Sequence, residues 1–396
     1  MNGSFLHDKL QEYLAQWLNP EEGHRTFQVD GAEVAIGSAI GCVREANEDR
    51  VLVARLLRDK EPNRNFFLGI LCDGMGGMSR GGVCASLAIS SFIKSLISGK
   101  NSDFSKLVET AAFEANNAVY EKFNGAGGTT LSAVVFSANG EALSVNVGDS
   151  RIYRLLAKNK LDKLTVDDTL KGQLEEKNKT AQLSLPEFRS LLQYIGMGEG
   201  LEPHIFNISP INDIKPIILT SDGIHSMPPE TLKQLITNSQ SVGDIVFRLI
   251  THSEWIGGHD NATSLSIKGD LSSTMSSKGK EFLNVLEVWT STKNLQIWIT
   301  SPSRVLANSF TESSSDTKYR TRNERISTDE SVKDSFVEDK IRKDEGEQKI
   351  TKPRRSKKRL KAGESPAEAD NISIVDIYIP EINVDVPDPS EGSGSE

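Results

Sequence analysis

The sequence predicts an α+β fold in which mostly antiparallel sheets are layered with helices. Short apolar runs bounded by Gly, Asn and Asp recur along residues 30–270, as strands do. The two long helical patterns arrive as a consecutive pair rather than one after each strand, which argues against an alternating parallel sheet. About 240 residues is ample for one core.

Taken in order, Phe5, Leu6, Leu10, Leu14 and Leu18 repeat at helical spacing and predict a short amphipathic helix ahead of the first strand. Strand-like runs follow at Val34–Ile40, Asp49–Leu56 and Phe66–Cys72. Gly82–Ile97, rich in Ala, Leu and Ile, reads as a helix. So does Asp103–Phe123, which sets Phe104, Leu107, Val108, Ala111, Ala115 and Val119 on one face. Further strands are expected at Leu131–Phe136, Ala142–Val147, Ile152–Leu156, Ile217–Thr220 and Thr263–Ile267. Residues 281–300 keep apolar material, including Val285, Leu286, Trp289, Leu295 and Trp298, and read as a helix or strand pair that extends the core. For Trp289 and Trp298, packing is the simpler reading and a binding platform the sharper one.

The expected division is a helical extension over 1–29, a globular domain over 30–270, and an extension packed on or near the core over 271–304. A disordered charged linker over 305–371 and an acidic tail over 372–396 complete it. From Ser301 the composition turns to Ser, Thr and charge, which cannot bury enough surface to offset ordering entropy. Basic residues crowd 352–361, and beyond 361 every charge is acidic. Within 372–386, Ile372, Ile374, Ile377, Ile379, Ile382, Val384 and Val386 form a strand-like patch, suited to adding to a partner protein or to the chain's own sheet edge.

The chain carries 55 acidic and 46 basic residues, a net charge of −9, with 37% hydrophobic residues. Such a surface meets nucleic acid or an anionic membrane with like charge, so neither is an expected partner; for the 352–361 run, contact with nucleic acid is the sharper reading and solvated linker charge the simpler one. No stretch reads as the roughly 18 apolar residues that span a bilayer. The first residues carry Asp8, Lys9 and Glu12 where an export signal needs apolar continuity, so a cytoplasmic location is expected. Cys42, Cys72 and Cys84 lack metal-type spacing and suit reduced, buried thiols.

The chemistry lies in acidic residues at predicted strand ends, each beside a tight-turn residue: Asn47-Glu48-Asp49, Asp73-Gly74-Met75-Gly76-Gly77, Gly148-Asp149-Ser150-Arg151, Ser221-Asp222-Gly223 and His259-Asp260-Asn261. Any one Asp-Gly pair is explained by a turn. Five in order, each on a strand end, are not. Carboxylates converging there repel one another unless hard divalent cations neutralise them, and all-oxygen ligation favours Mg or Mn over zinc. A carboxylate-bound ion pair suits hydrolysis at phosphorus, activating a bridging water and polarising the phosphoryl oxygens.

Over about 33–268 these segments, together with Arg44-Glu45-Ala46 and Gly128-Thr129-Thr130, resemble the metal-dependent protein serine/threonine phosphatases of the type 2C, or PPM, family, in family order. The resemblance implies a four-layer α-β-β-α sandwich of two antiparallel sheets flanked by helices. It also implies a phosphoric monoester hydrolase that cleaves phosphoserine and phosphothreonine by direct attack of a metal-bridging water or hydroxide. Asp73 would bridge two Mg or Mn ions, with the Gly74 carbonyl, Asp222 and Asp260 completing much of their shells. Glu48 and Asp49 would reach the second ion directly or through water, and Asp149 with Asp222 would take a third. Arg44 resembles the arginine that holds the substrate phosphate; its plainer reading is a surface ion pair. Met75 stands where animal members carry His, as in bacterial relatives, so leaving-group protonation falls to water or another group. The flap begins at Thr165-Val166-Asp167-Asp168-Thr169, but Gln193-Tyr194-Ile195-Gly196-Met197-Gly198 lacks the basic residue of the usual arginine-leucine-glycine segment. His225 and His259 are expected behind the ligands or on the surface.

The alternative is a catalytically weak scaffold that binds phosphoproteins and recruits a partner through its tail; loss of a metal aspartate would favour it, and none is lost. A non-protein phosphomonoester is a third option, which the resemblance disfavours.

Overall fold

A computed structural model describes residues 3–18, 22–75, 80–172, 190–208, 215–269, 271–275, 284–299 and 371–372. Two sheets form its centre. The first contains β1 (Gly23–Val29), β2 (Ala32–Ala39), β7 (Arg151–Leu155), β8 (Leu161–Lys163), β10 (Ile217–Thr220) and β11 (Ala262–Gly269), in the order β1-β2-β11-β10-β7-β8. The second contains β3 (Arg50–Arg58), β4 (Phe66–Cys72), β5 (Leu131–Ser137), β6 (Ala142–Val147), β9 (His204–Asn207), β12 (Asn284–Trp289), β13 (Asn294–Trp298) and β14 (Asn371–Ile372). Its order is β14-β13-β12-β3-β4-β5-β6-β9. Every pairing is antiparallel except β13–β14, which is parallel, with Ile297 opposite Ile372.

Alternation along β3 explains the layering. Val51 and Val53 point between the sheets, where they meet Phe67, Ile36, Leu219 and Leu265. Leu52, Ala54 and Leu56 point the other way, against α2 (Gly81–Ser98), α3 (Phe104–Phe123) and α1 (Gly3–Trp17). Both faces are buried, so these strands read as continuous apolar runs rather than alternating ones. Gly69 in β4 is needed for the sheets' approach: a Cβ there would stand 2.7 Å from Ile267 Cδ1. On the outer face of the first sheet, α5 (Pro229–Thr237) and α6 (Val242–Trp255) pack Leu232, Ile236, Ile245 and Leu249 on Ile218 and Tyr153. The result is the expected α-β-β-α sandwich.

Several details differ from the sequence expectation. The first sheet takes in β1, seven residues assigned above to the helical extension, because Gly23–Val29 forms a hairpin with β2 across Asp30-Gly31. The pair α5–α6 was not among the expected elements, although Leu232, Leu235 and Ile236, then Val242, Ile245, Val246 and Leu249, recur at helical spacing. Within the expected 281–300 extension, Asn284–Trp289 and Asn294–Trp298 form the β12–β13 hairpin, which extends the second sheet beyond β3; 281–283 and 300 lie outside the described residues. Trp289 stacks on Phe27 with ring centres 5.6 Å apart, a packing role. Helix α2 is 18 residues long and apolar enough, by length and composition, to cross a membrane, contrary to the expectation that no such stretch exists; its apolarity instead serves burial between α1, α3 and the sheet. Of the cysteines, Cys72 and Cys84 are buried, but Cys42 is exposed on the loop after β2. The expected linker and acidic tail lie outside the described residues, apart from Asn371 and Ile372.

Candidate active site

The registers bring the predicted acids to one end of the sandwich. Ala262 pairs with Ala39 and Thr220 with Arg151 in the first sheet; Arg50 pairs with Cys72 and Leu131 with Val147 in the second. Asp49 therefore precedes β3, Asp73 follows β4, Asp149 joins β6 to β7, and Asp260 lies just before β11. Asp222 follows β10 as the first residue of α4 (Asp222–His225).

The loop joining β2 to β3 is held by an asparagine. Asn261 donates from Nδ2 to the carbonyls of Ile40 (2.9 Å) and Ala46 (3.0 Å), and its Oδ1 accepts from the Glu48 amide (2.8 Å). Asn47 donates to Ser38 Oγ (2.9 Å) and accepts from the Asp49 amide (3.0 Å). Arg44, on that loop, donates to Asp260 Oδ2 at 2.7 Å, and its side chain remains 41% exposed. The surface ion pair is thus real. Its partner, however, is an acid of the cluster, and the Arg44 guanidinium also feels Asp222 and Asp73.

Asp73 is fixed through its backbone. Its carbonyl accepts from the Thr130 amide (2.9 Å) and Thr129 Oγ1 (2.8 Å), and its amide donates to Thr130 Oγ1 (2.9 Å). Gly74 admits no side chain: a Cβ would stand 2.4 Å from the Gly81 carbonyl carbon at the start of α2. A Cβ on Gly81 would stand 2.9 Å from Glu48 Oε1, so α2, Gly74 and Glu48 meet closely. The Asp149 turn is clamped by Asp168, whose Oδ2 accepts from the Gly148 amide (2.8 Å) and whose Oδ1 accepts from Gln193 Nε2 (3.0 Å).

Burial and crowding push the carboxylates up. Asp73 rises well above the ordinary range, first through desolvation, then through the charges of Asp49, Asp222, Asp149 and Asp260. Asp49 reaches about 7, burial outweighing the hydroxyls of Thr263 and Ser221 that hold it down. Asp149 also reaches about 7, through burial and Asp222. Asp222 is raised by burial and Asp260, against a side-chain hydrogen bond with Asp73. Neither buried oxygen of Asp49 has an aligned hydrogen-bond donor. Oxygen-only donors, raised acids and a buried carboxylate without a well-aligned donor together fit hard divalent cations. Among the described residues, no three acidic, His or Cys side chains are drawn up as a ready shell for one ion. The contacts that do form are pairwise, as expected of like charges.

His225 is buried. Its Nδ1 faces Thr220 Oγ1 at 2.9 Å, it bonds the Asp149 backbone, and burial lowers its pKa well below the usual value. It sits behind Asp149 and Asp222 as a neutral group, while His259 is exposed. A cavity of about 700 Å³ opens beside Asp149 and Asp222, walled by Arg151, Lys163 and Lys233. Arg151 is held by Asp167, at 2.6 Å from Nη2 to Oδ2. The sequence motifs contained Asn47 and Asn261 but gave neither a task; their place beside Glu48 and Asp260 was the only signal. Asp168 stood in the flap segment without a task, and Arg50 carried no local signal.

Residues 45–254 match the protein phosphatase 2C family. A serine/threonine phosphatase stp of Listeria welshimeri is 28% identical over 245 residues, 58% of this chain and 93% of that one. A putative protein phosphatase of Mycoplasma genitalium is 28% identical over 225 residues, 51% of this chain and 84% of its own. Among solved structures, the Mycobacterium tuberculosis serine/threonine phosphatase PstP/Ppp aligns with a TM-score of 0.51 at 26% identity, covering 60% of this chain and 98% of that one. The Streptococcus agalactiae serine/threonine phosphatase aligns with a TM-score of 0.51 at 23% identity over 60% of this chain and all (100%) of its own, a likeness of fold. With the acids gathered at one end of the same sandwich and the family match spanning more than half its length, the chain belongs to the protein phosphatase 2C family.

Proposed function

We propose that the chain hydrolyses phosphoserine and phosphothreonine in proteins, with Mg or Mn held by the acids at the sandwich end. The carrying observation is the convergence of Asp49, Asp73, Asp149, Asp222 and Asp260 beside the half-exposed Arg44. Asp73, the Gly74 carbonyl, Asp222 and Asp260 would hold these ions, with Glu48 and Asp49 contributing directly or through water, and Asp149 with Asp222 would hold a further one. Divalent ions, when bound, lower the pKa of water and polarise phosphoryl oxygens.

The protein's own part is positioning. Arg44 offers a planar donor pair to the substrate phosphate, oriented by Asp260. Asn261 and Asn47 fix the loop that carries Arg44 and Glu48. His225, neutral and bonded on both sides, is not free to protonate a leaving group, and Met75 carries no proton; water takes that task.

Release of phosphate from a phosphothreonine peptide tests the reading. Turnover is expected with Mg or Mn, absent in EDTA, and lost by about 10²–10³-fold in Asp222→Asn, the scale of removing one preorganised electrostatic group. Turnover in EDTA, or a fully active Asp222→Asn, would refute it.

A further inference from the structure

Exposed large apolar side chains stand on the two segments that meet at Arg44. Val43 is 61% exposed, Trp255 88% and Ile256 45%. Val43 immediately precedes Arg44, so their Cα atoms stand about 3.8 Å apart. Trp255 and Ile256 end α6 and begin the loop that reaches Asp260. The two loops are locked together. The Cys42 amide donates to the Gly258 carbonyl at 2.7 Å, Arg44 donates to Asp260 at 2.7 Å, and a Cβ on Gly41 would stand 2.4 Å from the Asp260 carbonyl oxygen. The two segments that carry these side chains are therefore held together at the guanidinium assigned to the phosphate. Glu45 and Glu254, their neighbours in sequence, are exposed and acidic.

Leaving a tryptophan almost wholly in water forgoes the burial its ring could provide, and such residues dominate binding energy where a partner covers them. An extended substrate advances about 3.3 Å per residue, so neighbours of a phosphorylated residue held by Arg44 fall within reach of Val43.

We infer that Val43, Trp255 and Ile256 form a ledge for a bulky aliphatic or aromatic side chain flanking the phosphorylated residue of the protein substrate. The neighbouring Glu45 and Glu254 select against acidic flanks. This inference rests on the phosphatase reading above, with phosphate at Arg44.

Two phosphothreonine peptides, identical except for Leu or Ser at both flanking positions, provide the test with the full chain and Mn. The wild type is expected to favour the Leu peptide by about tenfold in kcat/KM, the discrimination an apolar contact supplies. Val43→Ser with Trp255→Ser brings the ratio close to one through KM, with kcat unchanged. Trp255→Phe, which keeps an aromatic face, retains the preference, and thermal melting shows each variant folded. A wild-type ratio near one, or a preference that survives the double variant, overturns the ledge while leaving the phosphatase intact. Absence of metal-dependent turnover of either peptide and of p-nitrophenyl phosphate overturns the phosphatase reading and the ledge with it. A wild-type dimer in sedimentation that the double variant lacks reassigns the patch to a second copy and likewise overturns it.

Discussion

Asp49 shows how a single side chain sets the behaviour of the site. Its folded pKa of about 7 lies above the ordinary 3.8. Folded chain therefore holds this proton more tightly than unfolded chain does, and the cation-free protein loses stability as pH rises from about 4 through 7. Asp49→Asn removes that loss. In EDTA the variant should melt higher than wild type at pH 8, by a few kcal/mol, with the gap closing by about pH 4; an unchanged gap across that range would count against the buried charge. The same protons must leave when a cation binds, so Mn affinity by calorimetry should tighten from pH 6 to 8, with buffer-dependent heats reporting proton release. Asn261→Ala deletes three hydrogen bonds to the loop carrying Arg44 and Glu48. Turnover of a phosphothreonine peptide should fall at least about tenfold while the fold persists. The acids were legible in sequence because the chemistry needs their own side chains beside flexible turns. Asn261 and Asp168 were not, because they act on backbone groups some 215 and 20 positions away, which no local pattern encodes.

Elements were legible where burial imposed a rule. Both faces of β3 and β4 are covered, so each is a run of apolar residues, and α2 and α3 carry long apolar stripes. Helices α5 and α6 obey the same rule in amphipathic form, with Leu232 and Ile236, then Val242, Ile245, Val246 and Leu249, at helical spacing among polar residues; they were legible, but the sequence expectation rested on the more continuously apolar runs. Strand β1 escaped because Gly23–Val29 alternates half-buried and exposed positions up to its last residue. Helix α2 begins in close contact with Gly74. Gly74→Ala inserts a methyl 2.4 Å from the Gly81 carbonyl carbon, and both segments are backbone that cannot yield. The expected cost is about 1–3 kcal/mol in thermal or urea unfolding, the overpacking scale, accompanied by weaker metal dependence of turnover. An unaltered melt would mean that α2 can slide away from β4.

Across the whole molecule, α1 is packed into the same core as α2, with Leu10, Leu14 and Leu18 buried. It also reaches the acids through one residue. Arg50, 7% exposed, donates from Nε to the Leu18 carbonyl at 3.0 Å and to Ser86 Oγ at 3.1 Å, and from Nη1 to the carbonyls of Asn47 (2.9 Å) and Asp49 (2.7 Å). Removing residues 1–18 takes away one acceptor from a buried guanidinium, a change on the scale of 1–3 kcal/mol. The truncated chain should melt lower and require more Mn for half-maximal turnover. Because such coupling is reciprocal, whatever the N-terminal helix contributes to the cation, the cation returns to the helix. Loading with Mn should then slow hydrogen exchange at the amides of Leu14–Trp17, far in sequence from the clustered carboxylates of the site. A factor that grips or clips this helix would thereby act as a throttle on dephosphorylation without approaching the catalytic end at all.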